Sequence, residues 1–128
     1  MKRSGAVLLA VVLLAGCGHR YRFPPAIAPR VGFVEEGIAS WYGPGYHGNR
    51  TSNGEIYDQE ALTAAHASFV FGTRVKVTLL STHRSVVLRI NDRFPNHKGR
   101  IIDVSRAAAR TIGLIGPGVG RVRVEVVG

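Results

Sequence analysis

The chain has 128 residues, room for one domain with a modest core. A single cysteine rules out a disulfide framework within the chain, so the fold must hold by its core alone. The 17 basic residues outnumber the 8 acidic ones, for a formal net charge of +9, and the partners this favours are anionic.

In chain order, Met1-Lys2-Arg3 is a short basic start, and residues 6–16, "AVLLAVVLLAG", form an unbroken apolar or small run that ends at Cys17. This is the layout of a secretory signal peptide, and the run is too short to cross a bilayer comfortably as a helix. An exported basic protein does not have nucleic acid as its main partner. Cell-wall polymers and lipid headgroups are the anions open to it. "LAGC", ending at Cys17, resembles a bacterial lipobox. The resemblance implies cleavage before Cys17, lipidation of its thiol, and anchoring by several acyl chains, since one chain alone holds weakly. Gly18, where an aspartate would resemble an inner-membrane retention signal, implies outer-membrane sorting and a periplasm-facing protein. Residues 17–34 carry three prolines and scattered basic residues without a period. They read as a lipidated N-terminus and flexible tether, after a signal peptide over 1–16.

The folded domain is expected over 35–128. "EEGIASWYG" is a strand that ends at the turn signal Gly43-Pro44-Gly45. "YHGNRTSNGEIYD" is a long polar loop. "ALTAAHA" fits a short helix or a buried strand, and its period does not separate the two. "TRVKVTLL" alternates, with Val75, Val77 and Leu79 on one face; "STHR" turns the chain into "SVVLRIND", giving a hairpin. "GRIIDVS" is another short strand. Ser105 caps a helix over "RAAARTIG" that Gly113 closes. "RVRVEVVG" alternates again, with Val122, Val124 and Val126 on one face. Short strands, one or two short helices and glycine-rich turns predict a mainly β protein, a small closed barrel.

Five stretches carry a resemblance: "GIASWYGPGYHGNRTSNGEIYD", "ALTAAHA", "FGTRVKVT", "RSVVLRINDRFP" and "GRIIDVSRAAARTIG". Together, over residues 37–127, they resemble the rare lipoprotein A family. The resemblance implies a six-stranded double-psi β-barrel and a lytic transglycosylase acting on peptidoglycan glycan strands poor in stem peptides. The barrel is also similar to those of expansins. Such an enzyme cuts the β-1,4 bond between N-acetylmuramic acid and N-acetylglucosamine without water. One carboxylic acid can protonate the glycosidic oxygen and then take the proton of the sugar's own C6 hydroxyl, closing a 1,6-anhydro ring. Phe94 stands where the family commonly has glycine after "NDR", and "SFVFGT" lacks the proline usual before "FGT". Many members carry a C-terminal peptidoglycan-binding SPOR repeat. Gly128 falls directly after the expected barrel, so septal targeting through that repeat is not expected from these residues, while division-septum proteins stay among the candidate partners.

On the residues alone, Asp92 is either a cap for the Phe94-Pro95 turn or an acid in a cleft. The resemblance implies the second, with Asp92 as acid/base and Glu55 and His66 assisting. A working acid must hold its proton, which calls for burial or a neighbouring carboxylate, and Glu55 is a candidate neighbour. Glu55 also fits a solvated loop, and His66 a satisfied core histidine. Trp41, Tyr42 and Tyr46 could form an aromatic platform for sugar faces, although Trp41 fits barrel core better than Tyr42 does. Thr51, Asn53 and Asn91 are candidate partners for sugar hydroxyls. Arg93, pointing away from Asp92 in an extended strand, joins them. Asp103 reads as structural, binding backbone amides near the Ser105 cap. Arg84, Arg89 and Arg100 read as a solvated basic face. The histidines lack the paired spacing of metal ligands, and no phosphate-loop or Ser/His/Asp pattern is present. No metal or cofactor is expected. The rival reading is a non-catalytic, expansin-like envelope lipoprotein that binds peptidoglycan.

Overall fold

The computed structural model describes residues 21–95 and 98–128. The expected signal peptide, Cys17 and the first part of the tether lie outside the described residues. Among the described residues six strands form: β1 (Val34–Trp41), β2 (Thr63–His66), β3 (Arg74–Leu79), β4 (Arg84–Asp92), β5 (Arg100–Val104) and β6 (Val119–Val126). Among the described residues one helix, α1 (Arg106–Ile112), lies between β5 and β6. The spatial order β1-β5-β2-β4-β3-β6 closes on itself, so every strand is paired on both sides and no edge is left exposed. β1 with β5 and β2 with β4 are parallel; the other four pairings are antiparallel. This is the six-stranded closed barrel that the resemblance implies.

The alternating strands form as their period requires. Val75, Val77 and Leu79 of β3 and Val122, Val124 and Val126 of β6 are buried in one core with Leu88, Ile90 and Ile102. β3 and β4 make the expected hairpin, with His83 in the left-handed region at its turn. The ambiguous "ALTAAHA" is a strand. Thr63–His66 is buried throughout and pairs with β4 on one side and β5 on the other. Small side chains let it lie between two neighbours. The Ser105 hydroxyl caps α1 by accepting from the Ala108 amide, and Gly113 closes it at φ 89°. Before β1, the Ile27 amide donates to the Ser68 carbonyl and the Gly32 amide to the Val126 carbonyl, each at 2.8 Å, so this part of the N-terminal segment is tied to the barrel.

Two irregularities position the site. Ala64 faces Ile90 and Ala65 faces Asp92, so β4 carries one extra residue, Asn91. Ile38 faces Arg100 and Ala39 faces Ile102, so β5 carries one extra residue, Ile101. An extra residue reverses which face the following side chains take. On β4 it aims Asp92 outward beside Ala65, although Ile90 is core. On β5 it brings Arg100 and Asp103 to one face, although residues three apart in a regular strand point to opposite faces. Gly37 makes the second irregularity possible: a Cβ there would lie 2.8 Å from Ile101 Cγ2 and 3.0 Å from the Gly99 carbonyl.

Candidate functional site

The pairings set four residues in one row across adjacent strands: Ser40 faces Asp103, Asp103 faces Ala65, and Ala65 faces Asp92. The small Ala65 side chain leaves room between two carboxylates. Over this row opens a cleft of about 430 Å³ that Tyr42, Tyr46, Arg50, Asp92, Arg93, Phe94, Arg100 and Asp103 help to line.

Asp92 is held by four donors. Its Oδ1 accepts from the Ser52 amide (2.9 Å), the Ser52 hydroxyl (2.7 Å) and the Arg93 amide (2.9 Å). Its Oδ2 accepts from the Tyr42 hydroxyl at 2.6 Å. A turn cap would be satisfied by the Arg93 amide alone. The other three donors arrive from two distant segments, so Asp92 is also a hub of the cleft. Burial, followed by the Asp92 hydrogen bond, keeps the Tyr42 phenol protonated well above its ordinary range.

Asp103 corrects the sequence reading. It binds the Ser40 hydroxyl at 2.9 Å instead of backbone amides, and it lines the cleft. Burial pushes its carboxyl up to about 6; the Ser40 hydrogen bond and the Arg100 charge pull the other way, and the Asp92 charge adds to the rise. A carboxylate in the apolar run "RIID" was the available signal. What the sequence did not supply was the bulge that turns this residue outward.

Glu55 is elsewhere. Arg89 binds its carboxylate through both terminal guanidinium nitrogens, Asn53 donates at 2.8 Å and Asn91 at 3.1 Å. These donors, Arg89 foremost, bring its carboxyl down to about 2. Glu55 is not among the cleft-lining residues. It is the clasp of the loop that carries Ser52. Thr51 and Asn53 serve the same loop: the Thr51 hydroxyl donates to Asn53 Oδ1 at 2.7 Å, and the Glu55 amide donates to that oxygen at 3.0 Å. Asn91 is buried and spends its amide nitrogen on Glu55, while its Oδ1 has no partner among the described residues.

His66 is buried on the opposite face of β2 from Ala65, stacked on Phe69 at 3.7 Å between ring centroids. Its Nδ1 accepts from the Ser68 and Phe69 amides, which assigns the proton to Nε2, 2.9 Å from a Glu35 carboxylate oxygen. Its ring does not line the cleft. Its carbonyl accepts from Arg93 Nη1 at 3.3 Å. The Arg93 guanidinium lies 4.1 Å over the Phe71 ring and turns its head away from the Asp92 carboxylate. Burial pulls that guanidinium down, against the charge of Asp92.

Of the three aromatic candidates, Trp41 packs against the barrel core. Tyr42 is buried, stacked on Tyr57 at 4.3 Å. Tyr46 is exposed at the cleft and meets Tyr42 edge-on at 5.8 Å, so it is the one with a free face. Of the expected solvated basic face, Arg84 and Arg89 are exposed as expected and Arg100 is not. Arg89 is Glu55's partner, Arg84 reaches the C-terminal end of α1 through the Thr111 carbonyl, and Arg100 lines the cleft. Among the described residues no group of three His, Cys, Asp or Glu side chains could hold a metal ion.

Comparison with known proteins agrees with this fold. The model of the lytic transglycolase family matches residues 34–124. A protein of Synechocystis named "Probable endolytic peptidoglycan transglycosylase RlpA" is 60% identical over 94 residues, 73% of this chain and 29% of that protein. The "Endolytic peptidoglycan transglycosylase RlpA" of Campylobacter jejuni is 52% identical over 106 residues, 83% of this chain and 38% of that one. The chain thus spans about a third of the length of these curated relatives. Among solved structures, the Streptomyces papain inhibitor superposes with a TM-score of 0.64 at 19% identity, covering 80% of this chain and all of that one. A Clavibacter michiganensis expansin does so with 0.60 at 18%, covering 75% of this chain and 51% of that one. At such identities these two speak for the double-psi barrel fold alone.

Proposed function

The chain belongs to the lytic transglycolase family, and on that premise we propose that it cleaves peptidoglycan glycan strands without water, leaving 1,6-anhydro-N-acetylmuramic acid ends. The observation that carries this reading is the pair of carboxylates, Asp92 and Asp103, flanking Ala65 in one row and opening onto one cleft. Their environments differ as an acid and a base require. Asp103, half-titrated at about 6, gives its proton to the glycosidic oxygen as the bond from C1 breaks. Asp92, held as an acceptor by four donors, takes the proton of the C6 hydroxyl as that oxygen closes on C1. Proton return from Asp92 to Asp103 through solvent completes the turnover. Tyr46 offers its exposed face to a sugar ring. Glu55 and His66 act as positioning residues, Glu55 through the Ser52 loop and His66 through its carbonyl on Arg93. This moves the proton donor from Asp92, the sequence expectation, to Asp103.

The same proposal includes location. Lipidation at Cys17 would anchor the barrel in the envelope facing the periplasm, on the outer membrane, in reach of its polymer. The test is mass spectrometry of products from amidase-stripped glycan strands, with Asp92→Asn and Asp103→Asn beside the parent protein. Anhydro-ended fragments that vanish in both variants support the reading. Fragments with reducing ends make the protein a hydrolase. Retained strands without any fragments make it a binding module.

A further inference from the structure

Three guanidinium groups line the cleft, and two are committed. Arg50 Nη1 donates to the Gly54 carbonyl at 2.7 Å, and Arg93 donates to the His66 carbonyl while stacking on Phe71. Arg100 is different. Among the described residues its side chain makes no hydrogen bond, and its Nε is buried without a partner. It acts on Asp103 through space only, with no ion pair between them. The Phe94 ring lies 5.2 Å from its Cζ and supports the flat side of the guanidinium. The extra residue Ile101 puts it on the same face as Asp103. A buried donor left unmade is costly, and a guanidinium presents a planar fork that fits a carboxylate. The cleft therefore holds one cation braced by an aromatic ring, with unused donors, beside the carboxylate assigned as proton donor.

Resting on the transglycosylase reading, we propose that Arg100 binds the free lactyl carboxylate of an N-acetylmuramic acid residue. That group is an anion only where the stem peptide has been removed. With the peptide present it is a neutral amide carrying a chain that must also be accommodated. Arg100 would thereby make the cleft select stripped strands by charge, as a specificity residue distinct from the two aspartates that move protons.

The test is binding of the purified protein to two preparations of stripped strands, one with free lactyl carboxylates and one with those groups converted to methyl amides, with release of anhydro ends read in parallel. The parent protein is expected to bind the free-acid strands about tenfold more tightly, the scale of one charge-assisted contact. Arg100→Gln, checked for an unchanged melting temperature, is expected to bind both preparations alike, at the weaker level; Arg100→Lys should recover part of the difference. Equal binding of both preparations by the parent protein overturns the proposal, as does a preference that survives in Arg100→Gln. A preference without anhydro ends would keep Arg100's role and refute the transglycosylase reading. Anhydro ends released equally from both preparations would do the reverse.

Discussion

The cleft around Asp103 and the loop around Glu55 treat a carboxylate in opposite ways. Glu55 lies at the surface and is given an arginine fork and two side-chain amides, which bring it down to about 2. Asp103 is half-buried and is given one hydroxyl, which leaves it up at about 6. The first arrangement favours the charged form and fixes a loop. The second disfavours the charged form and keeps a proton available near neutrality. Structural and chemical use of an acid are thus separated by what surrounds it, and either assignment can be broken by experiment.

The largest effect is expected on activity. Asp103→Asn and Asp92→Asn should each lower the rate of anhydro-end release by about 10²–10⁴-fold, the scale of a lost general acid or base. Asparagine fits both places. At 103 its carbonyl still accepts from Ser40, and at 92 its carbonyl can keep the three donors on Oδ1 while its amide faces the Tyr42 oxygen. In the parent protein the acid must be protonated, so kcat/KM should fall as pH rises through about 6. An activity that instead stays level from pH 5 to 8 would remove Asp103 from the role.

The row itself can be broken next. Gly37→Ala places a methyl group 2.8 Å from Ile101 Cγ2 and 3.0 Å from a backbone oxygen that cannot step aside. Overpacking of this kind costs about 1–3 kcal/mol. Because the crowded residue is the extra one in β5, activity should fall together with the melting temperature. A variant of parent stability and parent activity would show that β5 accommodates the methyl group, and that the irregularity does not depend on this close approach.

Much of the fold was legible in the residues, and the reason is local. β3, β6 and the hairpin follow from alternation, and α1 from its serine cap and closing glycine, all within a few positions of each other. "ALTAAHA" was ambiguous because both of its neighbours, β4 and β5, come later in the chain, and burial on both sides erases the period. The site was legible in part. Asp92 stood out because Asn91-Asp92-Arg93 interrupts an apolar strand, and that interruption is the bulge. Asp103 and Arg100 did not, because their common face depends on a pairing between β5 and a strand more than 60 residues earlier. Glu55 and His66 were marked by the family resemblance, which identifies positions without saying which way their side chains turn.

A smaller effect sharpens the same comparison through stability. Since folding raises the Asp103 carboxyl from about 4 to about 6, the folded protein binds that proton more tightly than the unfolded chain does. The burial penalty is therefore complete above pH 6 and absent below about 4. Asp103→Asn should stabilise the protein by roughly 1–3 kcal/mol at pH 8 and by almost nothing at pH 4. Urea unfolding at the two pH values measures this. A loss of stability at pH 8 would show that the carboxylate is a structural partner after all.

The smallest stability change is expected at Glu55, and the sign is reversed. Its carboxyl is lowered on folding, so its contribution is present above about pH 4 and is lost as pH falls towards 2. The side chain is 38% exposed, so solvent screens the pair, and Glu55→Gln should cost about 1 kcal/mol or less at pH 7. Activity should fall further than that cost implies, because the clasped loop brings both Ser52 donors to Asp92. Arg89→Gln separates the two ways in which Glu55 could matter. If Glu55 works by clasping the loop, removing its arginine partner reproduces the loss, and the double variant is no worse than either single one. If Glu55 instead touches the sugar, Arg89→Gln leaves it free to do so, and activity survives. That second outcome would move Glu55 from the scaffold to the chemistry, and the contrast with Asp103 would have to be redrawn.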